Sequence, residues 1–372
     1  MDAGLKRELE EKVRSGERLT REDGIALYGS DDLAWLGGLA HEARTRENGD
    51  VVHFDVNRRL DLTAEEAVKF AGDLAEENLT ELHLAGAPHP DLPWDSHPRA
   101  LRELKAALPG VALKAFTATG LHQVETVSGR SASALLDELI DAGLESLTDG
   151  AESLDTAAGQ DAVGPRTRWE DWARIHRLAH EKGLKTPCAL PYGPAEEPHG
   201  CVDQVLRLRE LQDGTGGFQV FVPLSPQERT GAAVTPLEAL KTVAVSRLLL
   251  DNVPHVRVFW ATHGVQTAQL ALQYGADDLD GPVAEHRPTG EVGGAGGAGG
   301  AGGAGEAGQA GGRGTAPKDR TTPGDPLPRE DLIDLIRDAG FRPAEHDGRY
   351  GTVRAYDGPD PARRESPQPM RL

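Results

Sequence analysis

Residues 51–86, which read VVHFDVNRRLDLTAEEAVKFAGDLAEENLTELHLAG, decide the fold. Two short runs that alternate apolar and polar residues, at 51–57 and 81–86, flank a stretch with helical periodicity in which Thr63 and Glu66 form a capping box. A strand, a helix and a second strand in this order predict parallel strands that are joined by a right-handed crossover.

The same alternation continues along the chain. Amphipathic segments such as TRWEDWARIHRLAHEKG, which ends at Gly183, separate further β-like runs, of which the last is weak. These runs lie at 112–119, 145–150, 185–193, 218–226, 256–264 and 276–282. With the first two they make eight strand–helix units, which favour a closed (β/α)8 TIM-type barrel over an open doubly wound sheet.

Composition divides the chain into four segments. Residues 293–312 are nearly all Gly and Ala and have no side chains able to bury area, so they indicate a flexible linker. The predicted segments are an N-terminal helical element at 1–45, the α/β barrel at 46–285, the Gly/Ala-rich linker at 286–326, and a C-terminal helix, strand and tail at 327–372.

Capping residues set the expected helix ends outside the barrel. In the N-terminal element Thr20 and Ser30 are predicted N-caps. In the C-terminal extension Gly340 is predicted to end the helix REDLIDLIRDAG, which the strand RYGTVRAY follows. This extension is too small to fold alone, so we expect it to dock on the barrel.

Charge and cysteine content exclude several classes of function. Forty Lys and Arg against sixty Asp and Glu give a net charge of −20, which disfavours nucleic acid and anionic membranes as partners. No run approaches the roughly 18 apolar residues of a membrane span, and the start of the chain is acidic, so we expect a cytoplasmic protein. The only cysteines, Cys188 and Cys201, support neither a disulfide framework nor a four-cysteine metal site.

The first two strands have one apolar and one polar face. The apolar positions are Val52, Phe54, Val56, Leu82 and Leu84, and the polar positions are His53, Asp55, Asn57 and His83. The apolar face should meet the helices, which leaves a partly polar interior. That interior either lines a pocket or holds hydrogen-bonded core histidines.

Several stretches resemble aminofutalosine synthase, a radical SAM family. They include LTREDGIALYGSDDLAWLGGLAHEART, ENLTELHLAGAPHPDLPW, ELIDAGLESLT, SRLLLDNVPHVRVFW and HGVQTAQLALQYGADDLDG, and the likeness covers most of residues 1–285 and the C-terminal helix. The resemblance implies a [4Fe-4S] cluster and S-adenosyl-L-methionine as cofactors. It also implies a deoxyadenosyl-radical addition to a carboxyvinyloxy-benzoate in the futalosine route to menaquinone.

The chain departs from this family where the cluster is bound. The family carries a CxxxCxxC loop after the first strand, but here only RRLDL separates Asn57 from the helix cap at Thr63. Cys188 and Cys201 do not have that spacing, and Cys188 falls where the family also reads TPC, which favours a small buried residue. The resemblance therefore implies no catalytic residues and no metal ligands here.

Other strand ends have changed as well. The acidic residue that ends the family's TATE segment is Gly120 here. The family's GGGAE turn corresponds to residues 149–152, which read DGAE. The family's YGH corresponds to residues 192–194, which read YGP. Segments that pack are kept and segments at the cofactor face are altered, as expected if selection on catalysis were relaxed.

Candidate ligand-binding residues lie at the predicted C-terminal ends of the strands, where barrel enzymes bind their ligands. Gly86 matches the glycine turn near the methionine amine, although a tight turn alone also explains it. For the others, capping or packing is the alternative role. The full set is Gly86, Thr117, Thr119, Glu152, Tyr192, His263 and Gln266.

His176 and His180 lie four residues apart on one predicted helix, a spacing that can hold zinc. No third ligand is evident nearby. The helix is otherwise charged, so a solvated face is the favoured interpretation.

Three functions are consistent with these observations. The first is a degenerate synthase homologue, a pseudoenzyme that folds without a cluster. The second is a barrel that binds a nucleoside or an aromatic acid, and the third is a scaffold for an intact synthase. If the missing loop is a sequence artefact, the chain is an active synthase.

Overall fold

The computed structural model describes residues 1–60, 68–69, 71–75, 77–84, 93–148, 167–193, 197–224, 234–284 and 326–357. The predicted capping box of Thr63 and Glu66 lies outside these residues, as does the predicted linker from residue 286 to residue 325. The division into independently folding segments stays a prediction.

Three helices precede the first strand: α1 (Ala3–Ser15), α2 (Arg21–Tyr28) and α3 (Leu33–Asn48). Thr20 caps α2 as predicted, because its hydroxyl accepts from the Asp23 amide and the Asp23 carboxylate accepts from the Thr20 amide. The predicted Ser30 cap is wrong. Asp32 caps α3 by accepting from the Trp35 amide at 3.1 Å, and the Ser30 hydroxyl accepts from the Asp32 amide instead.

All eight predicted strand positions take part in parallel pairing. Seven contain named strands: β1 (Val51–Phe54) with β2 (Asn57–Leu60), β3 (Glu81–Leu84), β4 (Ala112–Ala115), β5 (Thr186–Pro191), β6 (Phe218–Leu224), β7 (His255–Phe259) and β8 (Asp278–Asp280). The remaining position, residues 145–148, joins β4 through a parallel bridge between Lys114 and Ser146. The predicted (β/α)8 barrel is confirmed.

The strands follow one another in barrel order. β5, β6, β7, β8 and β1 are neighbours in one sheet, and β2, β3 and β4 are neighbours in another. The two sheets meet at Val56, whose carbonyl accepts a hydrogen bond from the Thr80 amide at 2.8 Å. β1 and β2 are thus two halves of the first barrel strand, each with a different neighbour.

Helices surround the strands: α4 (Ala71–Ala75), α5 (Ser96–Ala107), α6 (Ala118–Ser128), α7 (Ala132–Asp141), α8 (Trp169–Glu181), α9 (Pro198–Thr215), α10 (Pro236–Leu249), α11 (Trp260–His263), α12 (Val265–Ala271) and α13 (Arg329–Asp338). As predicted, Gly183 and Gly340 follow helix ends, with φ of 85° and 90°. No helix within the described ranges has both the length and the apolar character needed to cross a membrane.

The solvated face predicted for His176 and His180 is wrong. His176 is buried, and its Nδ1 lies 3.0 Å from the Thr186 hydroxyl on β5. His180 is partly buried and lies 2.9 Å from the same hydroxyl. Because the helix is otherwise charged, the sequence pattern did not indicate that these two rings face β5.

The C-terminal segment enters the barrel sheet. β11 (Arg342–His346) pairs in parallel with β1, and β12 (Thr352–Ala355) runs antiparallel to β11. Two short strands that precede β11 in the sequence, β9 (Val283–Ala284) and β10 (Leu327–Pro328), pair in parallel with each other. The sequence predicted one strand here and missed β11. Its residues, RPAEH, include a proline and two charged side chains, so its place depends on β1 rather than on its own pattern.

The predicted faces of the first two strand positions are confirmed. Val52, Phe54 and Leu82 are buried in the apolar core, and the polar side chains of Asp55 and Asn57 contact Arg257 and Asp280 of other barrel strands. Arg257, from the middle of β7, lies 3.0 Å from Asp55 and 2.7 Å and 2.9 Å from Asp278 and Asp280. We call Arg257 and these three aspartates the interior charge cluster.

The pKa values in this region follow from burial and from pairing. Burial raises the pKa of Asp55, and the neighbouring Asp280 raises it further. Burial would also raise the pKa of Asp278, but the charge of Arg257 holds it well below its ordinary value. Burial alone would lower the pKa of His346, but the Asp278 carboxylate, 3.8 Å from His346 Nε2, raises it.

A second buried group lies on β3 and β4. The Glu81 carboxylate accepts from His83 Nε2 at 2.7 Å and pairs with Lys114 Nζ at 2.5 Å. Of the two interpretations of the polar interior, the described residues therefore support hydrogen-bonded core side chains. His83 is one of these histidines.

We predict that Arg257→Met lowers the free energy of unfolding by about 3–5 kcal/mol, because it leaves buried carboxylates without a cation. Arg18→Met is the matched control, since Arg18 also pairs with two aspartates. Its side chain is 44% exposed against 5% for Arg257, so the loss should be at most about 1 kcal/mol. Urea denaturation measures both, and equal losses would contradict the role given to the interior charge cluster.

Candidate functional site

Tyr192 and His263 meet at the C-terminal ends of the strands. Tyr192 follows β5, and His263 ends α11, the short helix that follows β7. The Tyr192 hydroxyl lies 2.8 Å from His263 Nε2, and the two rings are nearly parallel. The fold thus brings together two of the predicted site residues that the sequence separates by 71 positions.

The hydrogen bonds fix the direction of proton donation. The Phe259 carbonyl can only accept, so His263 Nδ1, which lies 2.9 Å away, carries the proton. His263 Nε2 then accepts, and the Tyr192 hydroxyl donates. Burial raises the pKa of Tyr192 and lowers the pKa of His263, so both groups are held in their neutral forms.

Thr117 and Thr119 follow β4 but have different roles. The Thr117 hydroxyl caps α6 by accepting from the Gly120 amide at 2.9 Å. Thr119 is buried, and its hydroxyl has no hydrogen-bond partner within the described residues. Phe116, just before them, has φ of +61°, a conformation that costs a non-glycine residue about 1–3 kcal/mol and is often found at functional sites.

Among the predicted site residues that the structure describes, a direct contact is seen between Tyr192 and His263. Gln266, on α12, is exposed. Gly86 and Glu152 lie outside the described residues, so their predicted roles stay predictions. Thr117 acts as a helix cap, which is the alternative role that the sequence left open.

Three residues at the same end of the barrel were missed by the sequence analysis. Thr148 and Trp260 are buried, and the Thr148 hydroxyl and Trp260 Nε1 have no partner within the described chain. Both lie near the C-terminal ends of predicted strands, so their positions could have identified them as candidate site residues. The positive φ of Phe116 had no signal in the sequence.

Two cavities lie near the described helices. One, of about 10 Å³, lies beside Tyr192 and is bounded by Tyr28, Cys201 and Thr242, with room for about one water molecule. The other is a groove of about 410 Å³ between α8 and α9, bounded by charged side chains and Trp169. The groove runs along α8 from Trp169 to Glu181 and faces the second half of α9.

The two cysteines do not fit an iron–sulfur cluster. A [4Fe-4S] cluster is held by cysteine thiolates, and the family motif supplies three. Cys188 is fully buried on β5, where burial raises the pKa of its thiol and favours the neutral form, as expected of a small core residue. Cys201 lies on α9, a different element. The chain holds no third cysteine.

The chain is 60% identical to aminodeoxyfutalosine synthase of Streptomyces coelicolor, with all of both chains covered. It is 31% identical to aminodeoxyfutalosine synthase of Thermus thermophilus, with 93% of this chain and 95% of the relative covered. The chain belongs to the aminodeoxyfutalosine synthase family.

Two further matches concern the C-terminal part of the barrel and the fold. Residues 222–299 match the family model described as the CofH/MqnC C-terminal region. The crystal structure of methylornithine synthase is similar in fold, with a TM-score of 0.62 at 16% identity over 90% of this chain and 97% of that one. At that identity the likeness concerns the fold alone.

We predict that Tyr192→Phe lowers the free energy of unfolding by about 1 kcal/mol, because His263 Nε2 loses its donor. The lowered pKa of His263 means that its contribution is present above its ordinary value of 6.5 and is lost at lower pH as the ring takes up a proton. Urea denaturation and nitrogen-15 spectra of the imidazole measure the loss and the Nδ1–H tautomer.

Tyr274→Phe is the matched control for this substitution. Its hydroxyl makes no hydrogen bond to the described part of the chain, and its ring packs against Gly37. A loss in Tyr274→Phe as large as that in Tyr192→Phe, or an Nε2–H tautomer of His263 in the wild type, would contradict the assigned hydrogen bond.

Proposed function

We propose that this chain is a non-catalytic member of the aminodeoxyfutalosine synthase family that does not form a [4Fe-4S] cluster. It would then not catalyse the deoxyadenosyl-radical addition of the futalosine route to menaquinone. The observation that carries this proposal is the cysteine content: two cysteines, on separate elements, one of them buried in β5.

The chemistry of the cluster supports the proposal. In this family three irons are held by protein thiolates, and the fourth binds the amino and carboxylate groups of S-adenosyl-L-methionine. Changing a single ligand is tolerated in some clusters, because histidine can replace cysteine. Replacing all three together with the loop that positions them is a larger change, since a metal site also depends on the surroundings that orient its ligands.

The length of the alignment also supports the proposal. The comparison with the Streptomyces coelicolor relative runs over 414 residues, whereas this chain has 372 (414 − 372 = 42). The relative therefore has at least 42 residues without a counterpart here. A missing loop of the kind expected after β2 is consistent with that difference.

We predict that anaerobic reconstitution with iron and sulfide leaves the protein without stoichiometric iron and without broad visible absorbance, since too few thiolates are available. Iron analysis and absorbance spectra measure this, and the Streptomyces coelicolor relative, treated in parallel, is the positive control. Stoichiometric iron together with deoxyadenosine formation under dithionite would overturn the proposal and restore aminodeoxyfutalosine synthase as the function.

Binding of a small molecule at the C-terminal ends of the strands is a second candidate function. Three buried polar atoms there, Thr119 Oγ1, Thr148 Oγ1 and Trp260 Nε1, have no partner within the described residues. Buried polar groups are usually hydrogen-bonded, so such atoms are candidates for contact with a ligand. A nucleoside or an aromatic acid is the expected class, and an intact synthase remains a hypothetical partner that co-purification would test.

Calorimetry with S-adenosyl-L-methionine, deoxyadenosine and aminodeoxyfutalosine tests this second candidate. We predict that any binding weakens about ten-fold or more when His263 and Gln266 are both changed to Ala, because a lost polar contact costs about 1.5 kcal/mol or more. His199→Ala, on the exposed surface, is the control. Binding that is unchanged in the double variant would remove these two residues from the site.

A further inference from the structure

A cluster of two histidines and one aspartate lies at the opposite end of the barrel. His53 is on β1, His255 begins β7, and Asp277 immediately precedes β8, so all three lie toward the N-terminal ends of the strands. One possible ligand atom of each lies within 4.8 Å of the other two. We propose that these three side chains bind a single divalent transition-metal ion, with Zn²⁺ as the best fit.

The donor set selects the class of ion. Imidazole nitrogen and carboxylate oxygen together suit zinc and the neighbouring ions cobalt and nickel, whereas calcium and magnesium prefer oxygen ligands alone. Zinc binds nitrogen and oxygen at about 2.0–2.2 Å, so tetrahedral ligands lie about 3.4 Å apart. The ligand atoms of the three side chains now lie up to 4.8 Å apart. Side-chain rotations that move these atoms by about 1 Å would bring them to the separation that zinc requires.

His53 is the residue that distinguishes this cluster from an ordinary buried ion pair. Its Nδ1 is buried and has no hydrogen-bond partner within the described chain. Its ring stands nearly perpendicular to that of His255, with 5.0 Å between the ring centroids. A metal ion would give this nitrogen the partner that it lacks.

Asp277 is already oriented for the role. Its Oδ1 accepts from the Val256 amide at 2.8 Å and from Arg247, so the carboxylate is fixed in place. Its Oδ2 lies 2.6 Å from His255 Nδ1. An ion bound between these two atoms would displace the proton from His255 Nδ1, and the neutral imidazole would then carry its one proton on Nε2.

The local charge also favours a cation. Three buried guanidinium groups, those of Arg44, Arg247 and Arg257, lie among four buried carboxylates in this part of the barrel. The aspartates among them are Asp55, Asp277, Asp278 and Asp280. A divalent ion would reduce this excess of negative charge in a region of low dielectric.

The C-terminal segment covers the proposed site. The Tyr350 ring stacks on His255 with 3.8 Å between centroids and lies edge-on to His53 at 5.5 Å. Its hydroxyl donates to Asp278, which holds the ring in position. The bound ion would thus link β1, β7 and β8 beneath a lid supplied by the end of the chain.

Titration of the full-length, metal-free protein with zinc chloride tests the proposal. We expect one equivalent to bind, and His53→Gln to weaken the binding about ten-fold or more, since even residues that only orient a ligand contribute that much. His199→Gln, which removes an exposed histidine, is the matched control and should bind as the wild type does. Wild-type stoichiometry and affinity in His53→Gln, or no zinc binding by the wild type, would overturn the proposal.

Two further measurements keep the test decisive. Circular dichroism of metal-free His53→Gln shows whether it folds. We expect that it does, because His53 forms no ion pair within the described residues and the bond between His255 and Asp277 is untouched. If it does not fold, His255→Gln takes its place. Independently, cobalt(II) bound to the wild type should give visible absorption typical of a four-coordinate site, and a spectrum of the hydrated ion alone would also overturn the proposal.

Discussion

The pairing of Arg257 with three aspartates is the interaction on which the barrel interior depends. The guanidinium group on β7 reaches Asp55 from the first strand position and both aspartates of β8. A buried arginine without these carboxylates, or the carboxylates without the arginine, would each leave uncompensated charge away from water. The three strands are therefore held in one register by a contact that tolerates little displacement.

The same cluster explains why the C-terminal segment lies inside the sheet. β11 pairs with β1, which places His346 near Asp55 and Asp278 and allows Tyr350 to reach Asp278. The chain thus returns, after the segment that lies outside the described residues, to complete hydrogen bonds at the N-terminal end of the barrel. The apolar core alone does not account for this placement.

The two ends of this barrel differ in how their buried polar groups are paired. Barrel enzymes carry their reactive groups at the C-terminal ends of the strands, and the other end mainly supports the structure. In this chain the N-terminal end has dense ion pairing, while the C-terminal end combines a neutral pair, Tyr192 and His263, with unpartnered polar atoms.

The sequence by itself determined the order and type of the barrel elements, the polar inner face of the first strands and the place of Cys188 in the core. These features follow from local periodicity and capping, which depend on residues that are close together in the sequence. Only the tertiary structure decided the pairing of β11 with β1, the burial of His176, the pair of Tyr192 and His263, and the contact between Arg257 and Asp55. The last of these joins residues 202 positions apart. No local pattern encodes such a contact, because its partners acquire a common environment only after the strands have come together.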